Sequence, residues 1–350
     1  MTNPHRYERT TRFLALLCVL ALAVVGCGQS GDGAEDEAVE ELREGGAVEA
    51  AVVPDLKADK AYEIAVLLPN AGDPYFQQKS YGYTDEAEKV GVNLSFFDAG
   101  GYGNVEEQVA QIEDAIQRGV DAIAIAVTSS TAVVPALEEA IAAGILVVGD
   151  GVFPESDRVI KRGEDSVVAG KNSAEYLCEN LNDGDTVGAL FGPPGIDLVR
   201  LREVGLKLGL AECEKDIQIV QELYPLSDIV NSTDAAEDIM TAHPDLGGFF
   251  TFGSVVAQGA VSALQSAGYE PGDVLVTTVD LDPDLERMMR DGWAQQTSVA
   301  GSILLGRVVV DTIVEALNGE NVPDEAYLLP KTITLDNLDD FDRSILYPPE

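Results

Sequence analysis

Short, wholly apolar runs alternate with segments of helical period along most of this chain, and the series occurs twice. Ile64-Ala65-Val66-Leu67-Leu68 opens the first series, followed by residues 92–97, 122–127 and 145–148. Runs without polar alternation are strands covered on both faces, as in parallel sheets. Between them Val105, Val109, Ile112 and Ile116 fall on one helical face, with Glu106, Glu107, Glu113 and Asp114 mostly off it. A second series of strands is expected at 186–191, 217–223, 248–252 and 274–279. Strands alternating with helices at this spacing build βαβ units. The expected fold class is therefore α/β, with parallel sheets in two similar halves. A last amphipathic helix over 303–317 stops at Asn318-Gly319, and residues 332–335 follow as a final strand.

The N-terminus sets the compartment. Arg6, Arg9 and Arg12 precede an apolar run over 13–25, too short for a spanning helix and flanked as a secretory signal is. It ends in Val24-Val25-Gly26-Cys27, which resembles the bacterial lipobox. Residues 1–26 are read as a signal peptide and Cys27 as the lipidated residue. Residues 27–60 are rich in Gly, Ala and acids and have no aromatic residue, so they are read as an acidic disordered tether. The protein is expected on the extracytoplasmic face of the cell membrane, held there by lipid.

Charge excludes one class of partner. Sixty-one acidic residues against 22 basic ones give −39, a surface that repels phosphate backbones, so no nucleic-acid partner is expected. Beyond the signal and Cys27 only Cys178 and Cys213 remain; they either pair or serve as two small buried hydrophobes.

An ordered set of phrases carries a family resemblance. Asp73-Pro74-Tyr75-Phe76 follows the first strand, with Gly82 in the next helix. Gly119-Val120-Asp121-Ala122-Ile123 leads into the third strand, and Ala143-Gly144-Ile145 leads to Val147-Val148-Gly149-Asp150. Arg200 stands before Gly205, and Val279-Asp280 is followed by Pro283. Over about 61–335 the chain resembles the type I periplasmic binding proteins of the ribose/galactose-binding class. The resemblance implies two doubly wound parallel-sheet lobes joined by a three-crossover hinge, with the ligand between the lobes. The N-terminal lobe would comprise 61–163 plus 301–330, and the C-terminal lobe 164–300 plus 331–346. Strand-end chemistry places the ligand in the same cleft.

The resemblance nominates Asp73, Tyr75, Phe76, Asp150, Arg200 and Asp280 as ligand-binding residues. The aromatic pair offers a wall for a sugar's C–H face. The carboxylates accept hydroxyls or a cationic group, and Arg200 donates a planar fork. Asp73 and Pro74 equally suit an N-cap and first helical turn. Ala126, Gly151, Gly253-Ser254 and Ala300 stand where sugar binders of the class usually carry polar side chains. Locally, Glu86-Ala87-Glu88-Lys89, residues 98–102 and Gln111-Ile112-Glu113 resemble periplasmic sensors of trimethylamine N-oxide.

Transport leads these readings: a lipoprotein monomer that delivers a small polar ligand (sugar, polyol or amine) to an ABC permease. A receptor presenting its closed form to a membrane sensor kinase is the alternative. An enzyme is not expected. His243 is the only histidine beyond the signal, which leaves no histidine triad or histidine metal site. No phosphate-binding glycine loop with Lys-Ser/Thr is present. No cofactor or metal is expected.

Overall fold

The computed structural model describes residues 48–349. The signal peptide, Cys27 and the tether as far as Ala47 lie outside the described residues. In chain order come β1 (Val48–Glu49), β2 (Glu63–Leu68), α1 (Pro74–Val90), β3 (Asn93–Asp98), α2 (Val105–Arg118), β4 (Ala122–Ile125), α3 (Val134–Ala142), β5 (Leu146–Asp150) and β6 (Ile160–Glu164). Then follow α4 (Ser166–Asn180), β7 (Thr186–Leu190), α5 (Asp197–Ala211), β8 (Gln218–Leu223), α6 (Ile229–Ala242), β9 (Gly248–Thr251), α7 (Ser254–Ala267), β10 (Leu275–Val279), α8 (Pro283–Arg290) and β11 (Gln296–Val299). The chain ends with α9 (Ser302–Leu317), β12 (Glu325–Leu328), β13 (Lys331–Thr334) and a 3-10 turn at Arg343–Ile345.

The strands form two sheets. The first has the order β1-β12-β6-β5-β4-β2-β3, parallel throughout. The second has the order β13-β11-β10-β9-β7-β8, parallel except for β13, which runs antiparallel to β11. The chain changes sheet after β6, after β11 and between β12 and β13, so three crossovers join the lobes. Ile64 to Leu68 and Ala122 to Ile125 are at most 1% exposed, as strands covered on both faces must be. Glu164, placed at the start of the second lobe by the sequence reading, is the last residue of β6 and pairs in register with Leu328 of β12.

Each lobe docks one helix pair at backbone distance. A Cβ on Gly82 of α1 would lie 2.1 Å from the Ile303 carbonyl oxygen of α9. A Cβ on Gly205 of α5 would lie 2.1 Å from the Val167 carbonyl oxygen of α4. The second pair is also tied covalently, because Cys178 on α4 is bonded to Cys213 just past α5, with Cα atoms 5.9 Å apart.

The expectation of a disordered tether up to residue 60 fails over 48–60. Strand β1 adds to the first sheet beside β12, and the Ala50 amide donates to the Tyr327 carbonyl at 3.0 Å. Farther on, the Val53 amide donates to Asp311 Oδ2 at 2.7 Å and the Asp59 amide to Asn318 Oδ1 at 3.0 Å. Ala50 is buried, and Val52, Leu56 and Ala58 pack against the core. Composition argued for a coil, but an open sheet edge satisfies the backbone groups that composition cannot.

Candidate ligand-binding site

The carboxyl ends of both sheets face one another across a cavity of about 40 Å³. The first lobe contributes Asp73, Tyr75, Phe76 and Tyr102, with Gly151 and Val152 at its floor. The second contributes Leu198, Arg202, Ser227, Phe252, Ser254 and Asp280, among others. The lobes also bond to each other directly. The Ser130 amide donates to the Gly195 carbonyl at 3.2 Å, and Ser130 Oγ accepts from the Asp197 amide at 3.1 Å. Gln78 Nε2 donates to the Leu281 carbonyl at 3.0 Å. The cleft is therefore closed.

Asp73 combines two positions. It is the N-cap of α1, accepting from the Tyr75 amide at 2.9 Å, with Pro74 in the first turn. It also borders the cavity. Burial raises its pKa to about 6 against the opposing Tyr75 hydrogen bond, and Asp282 adds to the rise. Tyr75 and Phe76 pack edge to face, centroids 5.1 Å apart, and both reach the cavity. Adjacent helical residues lie about 100° apart, so the two rings cover neighbouring parts of one wall.

Asp280 follows β10 with φ +67°, a left-handed conformation that short polar side chains tolerate. Its amide donates to the Ser298 carbonyl and its own carbonyl accepts from Thr297 Oγ1, which hold the strained turn. Burial raises its pKa to about 7; Arg202 opposes the rise, while Glu164 and Asp73 add to it.

Two expected site residues are placed elsewhere. Asp150 is fully buried beneath the cavity floor, 3.0 Å from the Lys79 ammonium, and its Oδ2 accepts from the Tyr83 hydroxyl at 2.6 Å. Its carboxylate is committed to the protein's own cation. Arg200 has a half-exposed side chain and pairs with Asp197 one turn back at 2.9 Å. Two residues on, roughly 200° around the helix, Arg202 points inward and is only 3% exposed. Of the two arginines before Gly205, Arg202 borders the cavity and Arg200 does not.

Tyr102 and Phe252 were not anticipated. Each left a signal in the sequence: Tyr102 sits in the glycine-rich loop after β3, and Phe252 closes the apolar run of β9. Both are strand-end positions, where ligands of parallel sheets lie.

Two sheets, parallel but for β13, three crossovers and a cavity at the facing strand ends define a two-lobed, hinge-type binding protein. The chain belongs to the periplasmic binding protein family: the model described as "Periplasmic binding protein domain" matches residues 64–321. It is 30% identical over 260 residues to the ribose import binding protein RbsB of Escherichia coli K12, covering 74% of this chain and 86% of that one. Periplasmic protein TorT of the same organism is 23% identical over 272 residues, covering 77% of each. Among solved structures, an ABC transporter periplasmic solute binding protein from Actinobacillus succinogenes 130z with bound D-allose superposes with a TM-score of 0.74 at 25% identity. That alignment covers 80% of this chain and 100% of that one.

Proposed function

We propose that this protein is an exported, lipid-anchored solute-binding protein that captures a sugar or polyol between its lobes and delivers it to an ABC importer. The observation that carries the reading is the composition of the closed cavity. Tyr75, Phe76, Tyr102 and Phe252 supply ring faces, while Asp73 and Asp280, from opposite lobes, supply hydrogen-bond acceptors. A sugar presents a C–H face to the first and hydroxyl donors to the second. Relatives that bind ribose and allose support this choice of ligand class. The site binds and releases without turnover.

A thermal-shift panel of D-ribose, D-allose, myo-inositol and small amines tests the reading. At a hundredfold excess over Kd, a true ligand stabilises the fold by about 2.7 kcal/mol. A panel in which no sugar or polyol raises the melting temperature defeats the ligand assignment. The anchor is tested by mass spectrometry of the mature protein from its host, where an unmodified Cys27 would defeat it.

A second ligand reading, a cationic or methylated amine, draws on the same geometry. Four rings with two carboxylates can hold a cation by charge and by cation–π contact, on the order of 0.5–2 kcal/mol per ring. Transport and presentation to a sensor kinase use the same closed form; a permease or a kinase encoded beside the gene separates them.

A further inference from the structure

Arg202 is bound on two sides. Its Nε donates to Glu164 Oε1 at 3.1 Å, and its Nη2 donates to the same oxygen. Toward the cavity, Nη2 lies 3.7 Å from Asp280 Oδ2, and the guanidinium stands 4.7 Å from the centroid of the Phe252 ring. Nη1 donates to the Phe252 carbonyl. The two carboxylates belong to different lobes. Glu164 ends β6 in the first sheet, at the first crossover, whereas Arg202 and Asp280 belong to the second lobe. Close docking of α4 on α5 fixes the backbone of the arginine, since a Cβ on Gly170 would lie 2.2 Å from the Arg202 carbonyl oxygen.

We propose that Glu164, which does not border the cavity, is a positioning residue for ligand binding: it holds Arg202 at the hinge and so keeps Asp280 free to accept from the ligand. Arg202 is the only cationic side chain lining the cavity among the described residues. It has two carboxylates within reach, and of the two it hydrogen-bonds only Glu164. Hydrogen-bonded charge pairs exceed plain Coulombic contacts in strength, so Glu164 dominates. Removal of its charge turns the guanidinium to Asp280, which then pairs with the protein instead of with the ligand. Because Glu164 sits in the first lobe, the same contact also fastens the lobes at the crossover.

The inference rests on the cleft being the ligand site, but its main test needs no ligand. The charged and titratable groups facing Asp280 are Arg202, Glu164, Asp73 and Lys79, with Tyr75 and Tyr102 beside them. In the full chain, the ¹³C carboxyl signal of Asp280 is titrated in wild type, Glu164→Gln, Glu164→Asp and Ser130→Ala. Glu164→Gln should lower the Asp280 midpoint by a pH unit or more, and by more than the same change made in an Arg202→Met background, where only the direct push of the Glu164 charge is lost. Glu164→Asp, which keeps the charge and guards against loss of folding in the glutamine variant, should retain a midpoint near wild type. Ser130→Ala removes a lobe-to-lobe hydrogen bond that involves neither Arg202 nor Glu164 and should leave the midpoint unmoved. With D-ribose or D-allose as probe, Glu164→Gln should weaken binding about tenfold. An Asp280 midpoint unchanged in Glu164→Gln, or shifted equally by Ser130→Ala, overturns the proposal. If no sugar binds the wild type, the ligand assignment fails and the titration alone decides the role of Glu164.

Discussion

The Lys79 ammonium lies 3.0 Å from Asp150 Oδ1, and neither side chain is exposed to solvent. The same ammonium stands 4.6 Å from the Tyr75 ring centroid and 5.1 Å from that of Phe76. The cavity wall therefore rests on a buried ion pair. Asp150 keeps the wall in place from below, through Lys79, without bordering the cavity itself.

Breaking that pair should be costly. Lys79→Met leaves the buried Asp150 side chain with only Tyr83 as partner, and such losses run to about 3–5 kcal/mol. The double variant Lys79→Met/Asp150→Asn removes both charges and should recover most of the loss. Urea denaturation of the three proteins measures it. Equal stability of the single and double variants would show that the pair does not act as a unit.

The Cys178–Cys213 bond closes a loop with a sequence separation of 35. In the chain-entropy picture a loop of that size stabilises the fold by roughly 4 kcal/mol. Guanidinium unfolding with and without reductant should reveal a loss in that range. The same midpoint in both conditions would mean that the bond contributes nothing to stability.

Asp311 on α9 is 1% exposed, and its Oδ1 has no hydrogen-bond partner. Burial raises its pKa to about 7; Glu86 and Glu315 add to the rise, while the Val53 amide and Lys89 oppose it. An acid with a raised folded pKa binds its proton more tightly folded than unfolded. Its contribution is complete below the unfolded value near 4 and is lost as pH rises toward 7. Asp311→Asn should therefore unfold with a flatter decline of stability between pH 4 and 7 and should exceed wild type at pH 8. Identical pH slopes in the two proteins would remove Asp311 from this account.

The sheets were legible because a strand buried on both faces must be apolar throughout, and Ile64 to Leu68 has no other stable place. Asp73, Tyr75, Phe76 and Asp280 were legible for a related reason: strand ends face the cleft, and these residues sit at strand ends. What stayed hidden depended on partners distant in sequence. Lys79 lies mid-helix, where lysine ordinarily faces water, and only the approach of β5 makes it internal. Arg200 and Arg202 share a helix whose Leu and Val residues at 198, 199, 201, 204, 206, 208 and 210 are spread around it with no single apolar face, so a two-residue shift between the arginines cannot be read from periodicity. The ordered stretch at 48–60 depends on the free edge of β12, a strand nearly 280 residues away in the chain.

The pH dependence of binding should separate the two ligand classes. Asp73 and Asp280, with pKa values raised to about 6 and about 7, change charge across the range in which most binding assays are run. A cationic ligand favours their ionised forms, so its binding releases protons and its affinity must rise with pH, levelling off above about 7. Between pH 5 and 6 the rise approaches tenfold per pH unit for each proton released, by the same linkage that governs stability. A neutral polyol can donate to a carboxylate or accept from a carboxylic acid, so its affinity should vary only a few-fold over that span. Asp280→Asn sharpens the contrast: it leaves a polyol one amide oxygen to bond, but deprives an amine of a counter-charge. Calorimetry with D-allose and with a small amine, from pH 5 to 8, makes the measurement. A ligand whose affinity is flat across that range in wild type and survives Asp280→Asn is a polyol; one that climbs with pH and is abolished by the substitution is a cation.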